Sequence, residues 1–280
     1  MNLLIVGVGL IGGSFSLSLK GKKNLHFASF DQNRESADKA QELGIVEKTF
    51  SDITNGVEWA DVVVLAIPVK AIKTMLPEVL DLLKPDQFVV DFGSTKASIC
   101  KSVNEHPKRA QYIAAHPIAG TEHSGPAAAF AALYQGKNLI LCDTEKSDSM
   151  KLETFESLAK EAGFYITKMD ADEHDRHLAY ISHLSHITSY ALSNTVLKKE
   201  EDGEVILDLA GSGFESTVRL AKSSPSMWSS IFMENKEMVL KGIGAYKREL
   251  EKLEKLIEAE DERAINKYLE EGRSIRKILS

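Results

Sequence analysis

Cysteine is scarce in this sequence: Cys100 and Cys142 are the only two in 280 residues, each inside an apolar run. Two isolated thiols without CxxC spacing form neither a disulfide framework nor a redox or zinc motif. Both read as buried thiols of a reducing compartment, the cytoplasm. Basic excess is absent too. The net charge is −7 and no Lys/Arg stripe occurs, which excludes a nucleic-acid binder that must neutralise phosphates. No stretch reaches membrane-spanning length. The apolar opening over residues 3–19 lacks the basic segment that begins a signal peptide. Low-complexity tracts and internal repeats are missing. With 43% hydrophobic residues, the chain can bury a large core and is long enough for two domains.

What the sequence does have is alternation. Up to about residue 170, β-rich runs (2–6, 26–30, 62–67, 88–91, 112–115, 138–142 and 164–168) alternate with helical patterns (34–43, 69–83, 95–103 and 151–162). Several runs are continuously apolar, as strands buried on both faces of a parallel sheet are. The pattern predicts an α/β fold: an N-terminal Rossmann-type doubly wound sheet built from right-handed βαβ units. After Asp170 the strand-like runs stop. Helical patterns follow over 171–198, a short 214–222, a long 225–258 and a last 263–279. Ser224 before Pro225 predicts a capped helix start. The expected division is a dinucleotide-binding domain, 1–170, and an all-α domain, 171–280.

Gly7-Val8-Gly9-Leu10-Ile11-Gly12 follows the first strand and opens a helix. In such a GxGxxG turn the first glycine makes the bend, the second lets backbone approach a pyrophosphate, and the third lets helix and strand pack closely. Free N–H groups at the helix start hold the phosphates. Asp31 ends the second strand, where a carboxylate accepts from ribose hydroxyls. Its charge repels a 2′-phosphate, so NAD is expected over NADP, with Arg34 close enough to soften that exclusion. The cofactor candidates are Gly7, Gly9, Leu10, Ile11, Gly12 and Asp31, with Ile67 and Pro68 at one later strand end and Ser94 beyond another. Ser94 suits a helix cap or a hydroxyl at the nicotinamide end of the crevice, and the two roles are compatible.

His116 closes another strand and opens a glycine-containing loop. An imidazole there is placed to take the proton that an alcohol gives up as hydride leaves its carbon. Four of the eight histidines, His174, His177, His183 and His186, fall on the helix after Asp170. His183 and His186 share a face. Neither a cysteine cluster nor HExxH accompanies them, so no metal is expected. Arg219 follows the turn Gly211-Ser212-Gly213. Its planar fork suits a substrate carboxylate, and a surface salt bridge is the equal alternative.

As an ordered set, Gly9-Leu10-Ile11-Gly12-Gly13-Ser14, Asp91-Phe92-Gly93-Ser94-Thr95-Lys96, His116-Pro117-Ile118-Ala119-Gly120, Ser182-His183-Leu184-Ser185-His186 and Thr217-Val218-Arg219-Leu220-Ala221 with Trp228 resemble the prephenate/arogenate dehydrogenases of tyrosine biosynthesis. The resemblance spans nearly the whole chain. It implies NAD(P)-dependent oxidation of a ring hydroxyl coupled to loss of the ring carboxylate, taking prephenate to 4-hydroxyphenylpyruvate or arogenate to tyrosine. It further implies His116 as the catalytic base, Ser94 orienting hydroxyl and imidazole, and Arg219 holding a substrate carboxylate. His186 and His183 would face the substrate, and Thr121, Glu122 and Trp228 would line the pocket. A homodimer through the helical domain is implied as well. Because the fingerprint starts at residue 7 and nothing follows Ser280, the expectation is a monofunctional enzyme without a chorismate mutase segment or regulatory domain. Two rivals stand beside it. A β-hydroxyacid dehydrogenase or imine reductase shares the architecture but relies on lysine or aspartate where this helix carries histidines. A nicotinamide-sensing protein would need neither base nor carboxylate clamp.

Overall fold

Leu3 and Ile5 of strand β1 (Asn2–Val6) enter one core layer, and Leu4 and Val6 enter the other. Two-residue alternation in an all-apolar strand demands cover on both faces. The structure, a computed structural model, describes residues 1–22, 24–121, 123–201 and 205–278. Glu122 and the end of the helix expected over 263–279 lie outside the described residues.

From β1 the chain runs through α1 (Leu10–Leu19), β2 (His26–Phe30), α2 (Arg34–Glu42), β3 (Lys48–Phe50), α3 (Ile53–Trp59), β4 (Val62–Leu65), α4 (Val69–Leu82), β5 (Phe88–Asp91), α5 (Ala97–Val103), β6 (Tyr112–Pro117), β7 (Lys137–Cys142), α6 (Ser149–Glu161) and β8 (Phe164–Met169). The strands form one sheet in the order β3-β2-β1-β4-β5-β6-β7-β8. All neighbours are parallel except β6 and β7, which pair antiparallel. The Rossmann-type sheet is therefore mixed. Among the described residues, the segment joining β6 to β7 holds only short 3-10 turns at Pro126–Ala128 and Ala131–Tyr134, and a parallel return would need a crossover element. The sequence reading missed β3 and α3. A three-residue edge strand that begins with a lysine carries almost no periodic signal.

Beyond the sheet come α7 (Ala171–Leu178), a π turn over Ala179–His183 and α8 (Leu184–Glu201), where one regular helix was expected over 171–198. Next are α9 (Ser212–Val218), a 3-10 turn over Arg219–Lys222 and α10 (Pro225–Glu234). The helix expected over 225–258 is two helices. Asn235, at φ −114 and ψ 32, separates α10 from α11 (Lys236–Glu258), and α12 (Glu262–Arg273) follows. Asparagine leaves helical geometry readily when its amide finds another partner, and the Asn235 amide donates to the Asp175 carbonyl at 2.7 Å. Ser224 precedes Pro225 as expected, but its hydroxyl meets the Ser226 hydroxyl instead of capping α10.

The chain divides into two compact units, Met1–Asn235 and Lys236–Ser280. Within the first, α7 packs on α5, and α10 packs on α4 with a Lys73–Glu234 ion pair of 2.6 Å. The second is the pair α11 and α12, with the Asp261 carboxylate capping α12. Among the described residues no helix is long and apolar enough to cross a membrane.

Candidate active site

From β1 the chain winds outward through β2 and β3, then crosses to β4 on the other side. This reversal opens a crevice at the carboxyl ends of β1 and β4. Gly7 turns there at φ +90, and a Cβ on it would sit 2.6 Å from the Ala66 carbonyl oxygen. A Cβ on Gly12 would lie 2.1 Å from the Gly7 oxygen, so only glycine lets α1 seat against the strand. Gly9 differs. The nearest atom to its missing Cβ is 4.0 Å away, leaving an open face over the start of α1, which has no acidic residue in its first turn. Leu10 is buried, so it offers a ligand backbone and not side chain, while Ile11 is half-buried and packs on the core.

Asp31 stands beside this turn at the end of β2. Its carboxylate accepts from the N–H of Val8 at 3.1 Å and of Asn33 at 2.9 Å, which uses two of about four acceptor positions. Arg34 pairs with Asp38 of its own helix at 3.0 Å. Ile67 is half-buried and Pro68 exposed just beyond β4. These residues fit a dinucleotide: an open glycine turn and a carboxylate with free lone pairs.

Further along the edge, the loop after β5 is pinned from below. Asp91 and Lys96 are fully buried and paired. Lys96 also donates to the Ala115 carbonyl at 2.8 Å, and Tyr112 donates its phenol to Asp91 at 2.6 Å. The network ties the loop bearing half-buried Ser94 to β6, which bears His116. Ser94 is not the helix cap. α5 starts at Ala97, and the N–H groups of Lys96 and Ala97 donate to the Asp175 carboxylate at 2.7 and 2.9 Å.

His116 is half-buried, with Nδ1 2.8 Å from Nε2 of His174, whose Nδ1 lies 2.8 Å from Asp175 Oδ1. Among the described residues nothing bonds His116 Nε2. Burial, then the neighbouring His174, Lys96 and His183, hold His116 well below the ordinary histidine pKa. The ring is a neutral base at pH 7.

His183 and His174, nine residues apart, would face opposite ways on a regular helix, at about 100° per residue. The π turn between them takes back roughly one residue of rotation, and both are buried. The Asn235 amide lies 3.3 Å from His183 Nδ1, and the His183 ring meets Trp228 edge-on. Burial lowers His183 to about 4. His186 is half-buried and stacked on Trp228 at 3.4 Å, its Nδ1 bonded to the Ser182 carbonyl. Burial lowers it as well, with Arg219 adding to the effect. Arg219 is exposed and has no carboxylate partner among the described residues. Thr121 is exposed, and its hydroxyl accepts from the His123 N–H.

The sequence named the histidines but missed the arrangement. His174 was one of four on its helix, and nothing in local spacing joins Asp175 to Lys96, 79 residues away. Asn235 gave no signal, and Lys96 stood only as the end of a motif, since only the fold buries them.

A Rossmann-type sheet with an open glycine turn, a carboxylate with free acceptor positions and a neutral histidine along one edge defines the class: a dinucleotide-binding oxidoreductase. Residues 15–168 match the nucleotide-binding domain of prephenate dehydrogenase and residues 170–271 match its dimerization domain. The chain is 31% identical, over 98% of its length and 75% of the relative's, to a prephenate dehydrogenase of Bacillus subtilis (strain 168). Among solved structures it is similar to the prephenate dehydrogenase of A. aeolicus in complex with hydroxyphenyl propionate and NAD+. That likeness has a TM-score of 0.93 and 34% identity, covering 100% of this chain and 98% of that one. It is also similar to Synechocystis arogenate dehydrogenase, at a TM-score of 0.83 and 26% identity over 100% of both chains. The chain belongs to the prephenate dehydrogenase family.

Proposed function

We propose that this protein oxidises prephenate to 4-hydroxyphenylpyruvate with NAD, releasing CO2. The observation that carries the reading is His116: a neutral imidazole at the end of β6, on the same sheet edge as the open glycine turn. NAD would be held by the 7–12 turn, the Asp31 carboxylate, and Ile67, Pro68 and Ser94; when bound it supplies the hydride acceptor. The chain's own residues manage the rest. His116 accepts the ring hydroxyl proton at Nε2 while Ser94 orients the hydroxyl. Loss of hydride and proton leaves a conjugated ring ketone. Electrons of the carboxylate bond flow into it as CO2 departs, and the ring becomes aromatic. Arg219, without a carboxylate partner among the described residues, clamps a substrate carboxylate. His186 on its Trp228 platform forms part of the wall, with Thr121 and Glu122 assigned there by the family resemblance. His183, buried behind that platform, contributes through Trp228.

Residues 1–170 are assigned to the cofactor and 171–280 to substrate and dimerisation, a division supported by family matches that meet between residues 168 and 170. A homodimer through the helical part is supported by the dimerization-domain match and by exposed Leu240, Leu250 and Ile257 on α11. A cytoplasmic location is supported by two free buried thiols, of which burial raises Cys100 to about 12.

Arogenate is the second reading, favoured by the whole-chain likeness to Synechocystis arogenate dehydrogenase. Reduced-nicotinamide absorbance, followed with each substrate against NAD and NADP, decides. Prephenate with NAD should give the highest kcat/KM. A higher value with arogenate would replace the substrate, and no turnover in any combination would remove the enzymatic reading.

A further inference from the structure

Two groups stand in series behind His116, and neither is open to solvent. His174 is fully buried and Asp175 nearly so. They meet His116 from α7, across 58 residues of sequence. Proton bookkeeping along the series leaves little freedom. The Asp175 carboxylate already receives the N–H groups of Lys96 and Ala97, so it serves as an ionised, acceptor-only group. The His174 nitrogen facing it, Nδ1 at 2.8 Å, must then carry hydrogen. A neutral His174 has its lone pair on Nε2, and the His116 atom 2.8 Å from that lone pair, Nδ1, must be the donor. What remains to His116 is a lone pair on Nε2, the nitrogen that no described residue occupies.

We propose that His174 and Asp175 are a positioning pair that locks His116 in its Nδ1–H tautomer, so that Nε2 is always presented as the base. This rests on the reading of His116 as the proton acceptor. Free imidazole favours the opposite tautomer, with hydrogen on Nε2, which is useless as a base toward the pocket. The pair also serves the protonated state. Once His116 holds two protons, its Nδ1–H still points to His174, whose own N–H points to the Asp175 carboxylate, so the positive charge is met by a hydrogen-bonded series that ends on an acceptor. The anchor of the series is backbone: the same carboxylate that orients His174 caps α5, and the Asn235 amide holds the Asp175 carbonyl at 2.7 Å.

The test uses the full-length protein labelled with 15N-histidine. The His116 ring signals, assigned by their absence in His116→Asn, report which nitrogen carries hydrogen at pH 7. The wild type should show hydrogen on Nδ1. His174→Phe, which removes the acceptor, should move His116 toward the Nε2–H form and lower kcat about a hundredfold while leaving KM for NAD unchanged. His174→Gln, which offers an amide N–H to Asp175 and a carbonyl oxygen to His116, should restore the Nδ1–H signal and most of kcat. Hydrogen on Nε2 of His116 in the wild type overturns the proposal without any variant. So does a His116 tautomer unchanged in His174→Phe, or a His174→Gln variant that loses kcat as fully as Phe. A tautomer that shifts as expected with kcat untouched supports the lock and removes His116 from the catalytic role, so the two readings fail separately.

Discussion

Two stretches of one sheet edge do comparable jobs and are built in opposite ways. The end proposed for the cofactor, Gly7 to Gly12 with Asp31, is made of backbone: tight turns, a helix start and one carboxylate within 25 residues of chain. The end proposed for the proton, around His116, is made of side chains from β5, the loop that follows it, β6, α7 and the residue after α10. The first excludes a side chain at Gly7 and Gly12 and carries a local signature. The second has no local signature and depends wholly on the sheet and α7 arriving together.

The comparison is broken most severely by cutting the buried ion pair beneath the proton end. Lys96→Met leaves the Asp91 carboxylate buried with Tyr112 and the Gly93 N–H but no cation. Urea unfolding should show a loss of about 3–5 kcal/mol; a loss under about 1 kcal/mol would mean the pair is worth no more than a surface one.

Acid should act on the same end. The unfolded chain protonates His183 near the ordinary histidine value of 6.5, whereas burial holds the folded pKa at about 4. The unfolded state therefore binds more protons between these values. Stability is flat above pH 6.5 on this account and falls as pH drops toward 4, by about 3 kcal/mol at about 1.4 kcal/mol per unit. His116 and His174, also lowered by burial, act in the same direction. Unfolding free energies at pH 7.5, 6 and 5 check it, and a curve that stays level would contradict the buried neutral rings.

Smaller effects separate substrate from cofactor. Arg219→Gln should raise KM for prephenate tenfold or more, in line with about 1.5–3 kcal/mol for a hydrogen bond to a charged group, with KM for NAD unchanged. Asp31→Ala should weaken NAD about tenfold at most and raise the use of NADP relative to NAD. An unaltered cofactor ratio would take the ribose contact away from Asp31.

The same contrast explains what the sequence could tell. Gly7, Gly9 and Gly12 were legible because backbone clearance is encoded in the spacing of glycines. Apolar runs revealed the sheet for the same local reason, and its antiparallel β7 escaped notice because strand direction is set by the connection, not by the strand. The helix expected over 225–258 concealed a break because its apolar stripe continues past Asn235, and only Asp175 and His183 explain why the chain turns there. His116 was legible as a strand-end histidine. Its tautomer, its neutrality and its dependence on His174 were not, since these come from burial in the fold and from residues elsewhere in the chain, His174 among them, 58 positions away.

The most direct measurement is of His116→Asn, with NAD binding and prephenate turnover measured on the same preparation. The account predicts NAD affinity within about twofold of wild type, because the cofactor end stands on its own backbone, and kcat lower by about 10²–10⁴. Unchanged turnover, or NAD binding lost together with it, would contradict the division of labour along this edge.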